Sequence, residues 1–162
     1  MNIHFKPIGI IHTPYKKYAP FQPVEADKED FYVEMDKEYE AGLDELSKFR
    51  YIYLLFFMDK VNKALSMKVE PPWAGGKQVG LFASRSPVRP NPIGLSIVQL
   101  LKIDGNMLFT TGLDALDGTP LLDIKPYIRE LDSKEEANYG WLDDLDDREH
   151  LMLHIRGITH DY

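Results

Sequence analysis

The eleven residues SRSPVRPNPIG (84–94) combine two arginines and an asparagine with three prolines. Each proline fixes its own φ and biases the residue before it toward an extended backbone. Ser86, Arg89 and Asn91 are therefore held extended before any ligand arrives, which lowers the ordering cost of binding. Guanidinium groups are forked donors that suit a carboxylate or a phosphate. The stretch predicts a rigid anion-binding loop, with a rigid connection that bears surface ion pairs as the alternative.

A second stretch, LDALDGTPLLDIKPY (113–127), carries the opposite charge. It holds Asp114, Asp117 and Asp123 beside Lys125, and prolines again stiffen the backbone. The tetrapeptide Asp-Gly-Thr-Pro is also typical of a simple turn. Forked cations in one loop, with carboxylates and an ammonium group in the other, predict a site for a zwitterionic ligand that carries an extra positive centre.

Composition narrows the class of protein. The 162 residues fit one domain, and 44% hydrophobic residues supply a core. The absence of cysteine excludes thiolate catalysis and cysteine-based metal sites, and it fits a reducing cytoplasm. A net charge of −7 argues against a protein that binds nucleic acid through its overall charge, but it does not exclude a local basic patch. We expect a cytoplasmic protein with no signal peptide and no membrane span.

Strands predominate among the elements that must position these loops. Apolar and alternating patterns predict strands within residues 5–13, 31–36, 50–61, 78–85, 93–103, 107–116 and 119–128. The run at 50–61 is rich in aromatic and aliphatic residues, so we expect it to be buried on both faces. A tight hairpin turn is predicted at 104–106, the end of the last strand at Pro126, a short helical segment at 37–49, and some helix in the acidic tail. The fold class is mainly β, a closed or nearly closed barrel with a few short helices.

Metal binding is not favoured. His150 and His154 stand four residues apart, as zinc ligands on one helix face would, but a third ligand is not evident. The acidic run at 143–147 lacks the spacing and the glycine of a calcium-binding EF-hand. We interpret these stretches as ordinary polar surface and expect no metal ion.

Five stretches together resemble the TsaA-like, or TrmO, family. They are IGIIHTPYK (8–16), FQP (21–23), PPWAGG (71–76), GLFASRSPVRPNPIGLSIVQL (80–100) and LDALDGTPLLDIKPYI (113–128). The resemblance implies a single-sheeted β-barrel that binds S-adenosylmethionine and methylates N6 of threonylcarbamoyl-adenosine at position 37 of tRNA. It also implies a homodimer with the cofactor site near the subunit interface. Residues 1–130 would form the barrel domain, and residues 131–162 an acidic C-terminal extension packed on it.

The resemblance also assigns site residues. Those expected to bind the cofactor are His12, Gln22, Arg85, Ser86, Arg89, Pro90, Asn91, Leu116, Asp117, Gly118, Thr119, Lys125 and Pro126. The catalytic candidates are Arg85, Asp117, Asp123 and Tyr127. Because the acceptor nitrogen must lose a proton during or after attack, a general base would help. Asp117, Asp123 and Tyr127 remain alternatives for that role. We expect Arg85 to be the more enclosed arginine and Arg89 to face the acceptor.

Two other functions remain open. One is methyl transfer from S-adenosylmethionine to a small-molecule or protein acceptor. The other is a non-catalytic protein that binds S-adenosylmethionine for regulation. A methyltransferase needs an open path from the cofactor to the surface, whereas a regulatory protein tolerates a sealed pocket.

Overall fold

The structure, a computed structural model, describes residues 3–27, 30–156 and 158. Its elements are β1 (Gly9–His12), β2 (Phe31–Met35), β3 (Tyr51–Phe57), β4 (Lys68–Val69), β5 (Val79–Gly80), β6 (Ile93–Asp104), β7 (Met107–Thr110), β8 (Thr119–Pro126), α1 (Arg129–Asp132) and α2 (Arg148–Arg156). Six strands pair in the order β1-β2-β7-β6-β3-β8, and β8 pairs with β1 to close the sheet. The predicted mainly β, single-sheeted barrel is confirmed, and β4 and β5 form a separate small sheet.

Alternating side chains fill the barrel. Every second residue of a strand points inward, and the fully buried inward residues include Ile11, Val33, Leu54, Val98, Leu108 and Leu121. A six-stranded ring is narrow enough for such side chains to fill it completely. The interior is therefore a packed core, and any ligand site must lie at an end or on the outside.

The prediction that β3 is buried on both faces is wrong. Its burial alternates, with Ile52, Leu54 and Phe56 inside and Phe57 on the outer face with 37% exposure. A barrel strand has only one face toward the core, so its outer face is covered only by another element or another molecule. The continuous apolar run therefore reflects an apolar outer surface.

The β6–β7 hairpin and the end of β8 agree with the sequence. The hairpin turns at Gly105, whose φ of 57° lies in the left-handed region that glycine tolerates. β8 ends at Pro126, as predicted. These features follow from local turn and proline chemistry, which a sequence reports directly.

Two predicted elements differ from those in the structure. The strand expected at 78–85 shortens to β5, and the chain then bends through a 3₁₀ turn at Leu81–Ala83. The Ser84 hydroxyl donates to the Leu81 carbonyl (2.7 Å), and such a local bond competes with a strand ladder. The helical segment at 37–49 becomes two 3₁₀ pieces, Lys37–Leu43 and Leu46–Lys48, because Gly42 weakens it and the cap residues make no side-chain bond.

Three long connections leave the barrel at the same end. The pairs that mark this end are His12–Tyr32, Phe31–Thr110, Phe57–Ile93 and Ile11–Thr119. The connections are residues 13–30, 58–92 and 111–118, and we call this end of the barrel the loop end. It gathers the proline-braced loop and the first half of the acidic motif, which are far apart in sequence.

The C-terminal segment lies against the 58–92 connection. Trp141 Nε1 donates to the Ala83 carbonyl (2.7 Å), and Lys77 pairs with Asp144 (3.1 Å). α2 packs near the 3₁₀ turn Pro72–Ala74, where the His154 and Trp73 ring centroids lie 5.3 Å apart. The division of the chain at residue 130 stays a prediction. Within the described part of the chain, no helix has the length and apolarity that a membrane crossing needs.

Candidate functional site

Backbone hydrogen bonds join the 111–118 connection to β1 and to the segment after it. The Asp117 amide donates to the Tyr15 carbonyl (2.8 Å), and the Gly118 amide donates to the Ile11 carbonyl (2.9 Å). The buried Thr13 hydroxyl donates to the Ala115 carbonyl (3.0 Å). The first half of the acidic motif is therefore held in a fixed position beside β1.

Asp117 is the centre of a charged cluster at the loop end. Lys16 Nζ lies 2.5 Å from Asp117 Oδ2, and the Thr13 amide donates to Oδ1 (3.2 Å). His12 Nδ1 lies 3.6 Å from the same oxygen, and Lys60 donates to the Asp117 backbone carbonyl. The Lys16 hydrogen bond is the main reason that the pKa of Asp117 is lowered. Asp117 therefore stays ionised at neutral pH and is a weak proton acceptor.

A cavity of about 300 Å³ opens beside this cluster. Its lining residues are His12, Thr13, Pro14, Lys16, Asp30, Tyr32 and Asp117. The Tyr32 ring stacks on His12 with centroids 4.6 Å apart, and the buried His12 Nε2 makes no hydrogen bond but lies 3.5 Å from Glu34 Oε2. Small-molecule sites typically span about 300–1,000 Å³, so this cavity lies at the lower limit. Of the predicted cofactor-binding residues, His12 and Asp117 line it.

Residues 116–119 form a turn, as the Asp-Gly-Thr-Pro pattern indicates. The Thr119 amide and hydroxyl both donate to the Leu116 carbonyl, at 3.2 and 2.7 Å. Gly118 has a φ of 76°, and a Cβ there would lie 3.5 Å from Lys60 Nζ. Glycine thus permits a turn that exposes backbone beside an ammonium group.

The proline-braced loop folds around Arg89. Its Nη1 donates to the carbonyls of Ser84 (3.0 Å) and Ser86 (3.4 Å), and its guanidinium lies 5.6 Å from the Phe82 ring centroid. Arg89 is half-buried, whereas Arg85 is exposed. The expected order of enclosure is therefore reversed, because the loop turns two of its own carbonyls toward Arg89. Arg85 is the arginine whose fork faces outward.

Other predicted residues of this loop also lie near the loop end. Pro90 and Asn91 are exposed, and the Asn91 carbonyl accepts from the Ile93 amide (2.8 Å). The Met58 amide donates to the Pro92 carbonyl (2.8 Å), which fixes the loop to the end of β3. Gln22 lies half-buried in the 13–30 connection.

Asp114 was grouped with the carboxylates of the acidic motif, but it was named neither as a cofactor-binding nor as a catalytic residue. The Ser96 hydroxyl, 2% exposed on the inner face of β6, donates to Asp114 Oδ1 (2.5 Å). Burial raises the pKa of the Asp114 carboxyl, although the Ser96 hydrogen bond and the charge of Arg85 oppose that rise. A sequence signal existed, because Asp114 stands between Leu113 and Ala115, both of which are buried.

The second half of the acidic motif runs away from the loop end. Asp123 and Lys125 form an exposed ion pair (2.7 Å) on the outer face of β8. Tyr127 follows the strand, and its ring lies near Tyr51 and Tyr53. At about 3.3 Å per residue, Tyr127 lies on the order of 25 Å along the chain from Thr119. Within one chain, Asp123, Lys125, Pro126 and Tyr127 are therefore not brought together with Asp117.

The two histidines of α2 pair with each other. His150 Nε2 and His154 Nε2 lie 3.3 Å apart. The prediction that both belong to the polar surface is wrong for His154, which is buried because its ring packs against Phe21 and Trp73. Across residues 3–27, 30–156 and 158, no group of three or more histidine or acidic side chains is arranged to hold a metal ion.

Comparisons with known proteins identify the family to which the chain belongs. Residues 10–133 match the family model described as the tRNA-methyltransferase O N-terminal domain. The chain belongs to the tRNA-methyltransferase O, or TrmO, family, and the resemblance seen in the sequence is confirmed.

Relatives and solved structures show how far the likeness extends. A protein of Pyrococcus abyssi named a probable S-adenosyl-L-methionine-binding protein is 43% identical over 88% of this chain and 78% of its own. The mouse tRNA (adenine(37)-N6)-methyltransferase is 37% identical over 85% of this chain and 33% of its own. The crystal structure of TrmO from Pseudomonas aeruginosa has a TM-score of 0.71 at 30% identity, over 86% of this chain and 62% of that one. This chain thus spans only part of those two proteins.

Proposed function

We propose that this protein is an S-adenosylmethionine-dependent methyltransferase that modifies N6 of threonylcarbamoyl-adenosine at position 37 of tRNA. The main support is the convergence at the loop end of three connections that carry family motifs. Further support comes from relatives whose names specify S-adenosylmethionine binding and tRNA adenine-37 N6 methylation. The reducing compartment suggested by a chain without cysteine is the cytoplasm, where tRNA is modified.

The donor set at the loop end fits this cofactor. S-adenosylmethionine supplies an electrophilic methyl group when bound, and it carries one carboxylate, one ammonium and one sulfonium. Arg85, exposed in a stiff loop, suits the carboxylate. Asp117, which lines the cavity, suits a positive centre, and Gly118 lets a ligand approach the backbone closely. These residues would align the cofactor and replace its water, which is the main contribution an enzyme makes to in-line displacement.

An RNA substrate finds positive charge at the same end. Lys16, Lys17 and Lys60 are exposed on the loop-end connections of a protein whose net charge is −7. Local cations of this kind contact phosphates and position the RNA. The loop end thus offers both a small cavity and a basic rim.

We propose a homodimer whose interface includes the outer face of β6, β3 and β8. On it, Leu95 and Ile97 are 59% and 45% exposed. Leu95 pairs across the strands with Leu55, and Ile97 pairs with Tyr53, so the apolar side chains form contiguous rows. Exposed apolar patches of this kind mark interaction sites. A second subunit would cover these side chains and remove their apolar surface from water.

Two measurements test the proposal. Calorimetry in the presence of a chelator should show that the protein binds S-adenosylmethionine without a metal. The protein should then methylate tRNA from cells that lack the modification, and nucleoside mass spectrometry should detect N6-methylated threonylcarbamoyl-adenosine. Cofactor binding without a tRNA product would redirect the search to a small-molecule or protein acceptor, or to a regulatory role. No cofactor binding would overturn the proposal.

A further inference from the structure

Asp114 differs from the other carboxylates of the acidic motif because it is partly enclosed and accepts a hydrogen bond from Ser96 on the inner face of β6. We propose that Asp114 is the group that accepts the proton from the acceptor nitrogen during methyl transfer, an inference that rests on the proposed function. Asp114 takes this proton as the nitrogen forms its bond to the methyl group and the sulfur keeps the electron pair of the broken carbon–sulfur bond. The side chain, which is half-buried and not fully enclosed, then returns the proton to solvent.

The geometry holds the Asp114 carboxylate in one place. It lies in the 111–118 connection at the loop end, between the buried residues Leu113 and Ala115. Ser96 extends from the inner face of β6, and its hydroxyl fixes one carboxylate oxygen at 2.5 Å. A general base must hold its accepting oxygen in a fixed position near the proton. The neighbours of Asp114 and the Ser96 hydroxyl fix its carboxylate in this way.

The electrostatics also distinguish Asp114. A general base works best when its pKa lies near the working pH, and burial raises the pKa of this carboxyl toward that range. Arg85 is the charged residue whose field opposes that rise. The pKa of Asp117 is lowered by Lys16, and Asp123 is an exposed partner of Lys125 on the outer face. Of the three carboxylates, Asp114 is therefore the best suited to take a proton.

The first experiment separates binding from chemistry. Asp114→Asn should bind S-adenosylmethionine and tRNA within about threefold of the unsubstituted protein, while the single-turnover methylation rate falls by roughly 10²- to 10⁴-fold. An unchanged rate would overturn the inference. A loss of cofactor affinity that accounts for the whole effect would also overturn it, because the carboxylate would then hold a positive centre of the cofactor. Asp104→Asn is the matched control, because Asp104 lies exposed at the β6–β7 turn, at the opposite end of the barrel, and it should leave both quantities unchanged.

The second experiment does not depend on activity. In the cofactor-free protein with ¹³C-labelled aspartate, the carboxyl signal lost in Asp114→Asn should titrate above the ordinary aspartate pKa of about 3.9. Titration at or below that value would overturn the inference.

If Asp114→Asn does not fold, Ser96→Ala provides the remaining test. It removes a hydrogen bond that stabilises the anion, so the acidic limb of the pH–rate profile should move to higher pH. An unmoved limb would contradict the role of Asp114. A protein that methylates tRNA at the same rate with and without the Asp114 carboxylate would refute this inference alone, whereas a protein that never methylates tRNA would refute the proposed function as well.

Discussion

The acidic motif at 113–127 is continuous in sequence, yet its two halves lie in different parts of the molecule. Residues 113–118 belong to a connection at the loop end, joined by hydrogen bonds to the segment after β1. Residues 119–126 form β8, whose outward residues Asp123 and Lys125 lie beside Leu55 and Tyr53. The comparison teaches that one motif can serve two surfaces: the first half has the geometry of a ligand site, and the second half borders an apolar face.

The largest expected effect concerns that apolar face. Leu95→Glu should convert a dimer into a monomer, because it places a charge in the centre of the proposed interface. Light scattering should then report the 18.7 kDa chain mass in place of twice that value. Leu101→Glu is the matched control, since Leu101 lies on the same strand with 58% exposure but outside the region paired with β3. An unsubstituted protein that is already monomeric would contradict the interface.

A smaller effect should separate the two arginines of the proline-braced loop. Arg89→Ala removes two bonds to loop carbonyls and should lower the free energy of unfolding by roughly 1–3 kcal/mol, measured with urea. Arg85→Ala should change it by less than about 0.5 kcal/mol, because Arg85 is exposed. Arg85→Ala should instead weaken the binding of S-adenosylmethionine by roughly 10- to 100-fold, measured by calorimetry, because it removes the charged hydrogen-bond donors proposed for the cofactor carboxylate. Equal losses of stability in both variants would contradict this division of roles.

The smallest effect concerns the pH dependence of stability. The pKa of Asp117 is lowered on folding, so its stabilisation exists above the unfolded pKa of about 3.9 and is lost as the pH falls through the folded pKa. The pKa of Asp114 is raised on folding, so its ionisation costs stability as the pH rises from about 3.9 through the folded value. The two residues therefore contribute with opposite sign.

Urea unfolding at pH 3.5 and 6.5 measures this difference. Asp117→Asn should lower the free energy of unfolding more at pH 6.5 than at pH 3.5. The two losses should differ by less than about 1 kcal/mol, because the pair with Lys16 is solvent-accessible. Asp114→Asn should show the reverse order. If stability changes with pH in the same direction in both variants, folding does not shift the pKa values of Asp114 and Asp117 in opposite directions.

The sequence predicted those parts of the fold that depend on local chemistry. Gly105 marks the β6–β7 turn and Pro126 ends β8, because conformational freedom and a missing amide act at single residues. The alternation of apolar residues predicted the barrel strands. The family motifs predicted which connections would form the candidate site, and three of these connections meet at the loop end.

The rest depended on tertiary structure. An apolar outer face of β3 gives the same sequence pattern whether it packs against a second layer of the core or against another molecule. The sequence therefore predicted burial for a face that is on the outside of the barrel. The enclosure of Arg89 arises because the loop directs the Ser84 and Ser86 carbonyls toward it, which no spacing rule reports. The pairing of Asp114 with Ser96 joins residues 18 positions apart, and it required the barrel to be closed before it could be seen.

The contact between Trp141 and Ala83 has a practical consequence for spectroscopy. The chain contains only two tryptophans, and both Trp73 and Trp141 lie where the C-terminal segment meets the 58–92 connection. Intrinsic tryptophan fluorescence therefore reports the docking of that segment, whereas far-ultraviolet circular dichroism reports the barrel. Regions of a protein open with different free energies. If the C-terminal segment detaches before the strands separate, the unfolding midpoint measured by tryptophan emission will lie at a lower urea concentration than the midpoint measured by circular dichroism.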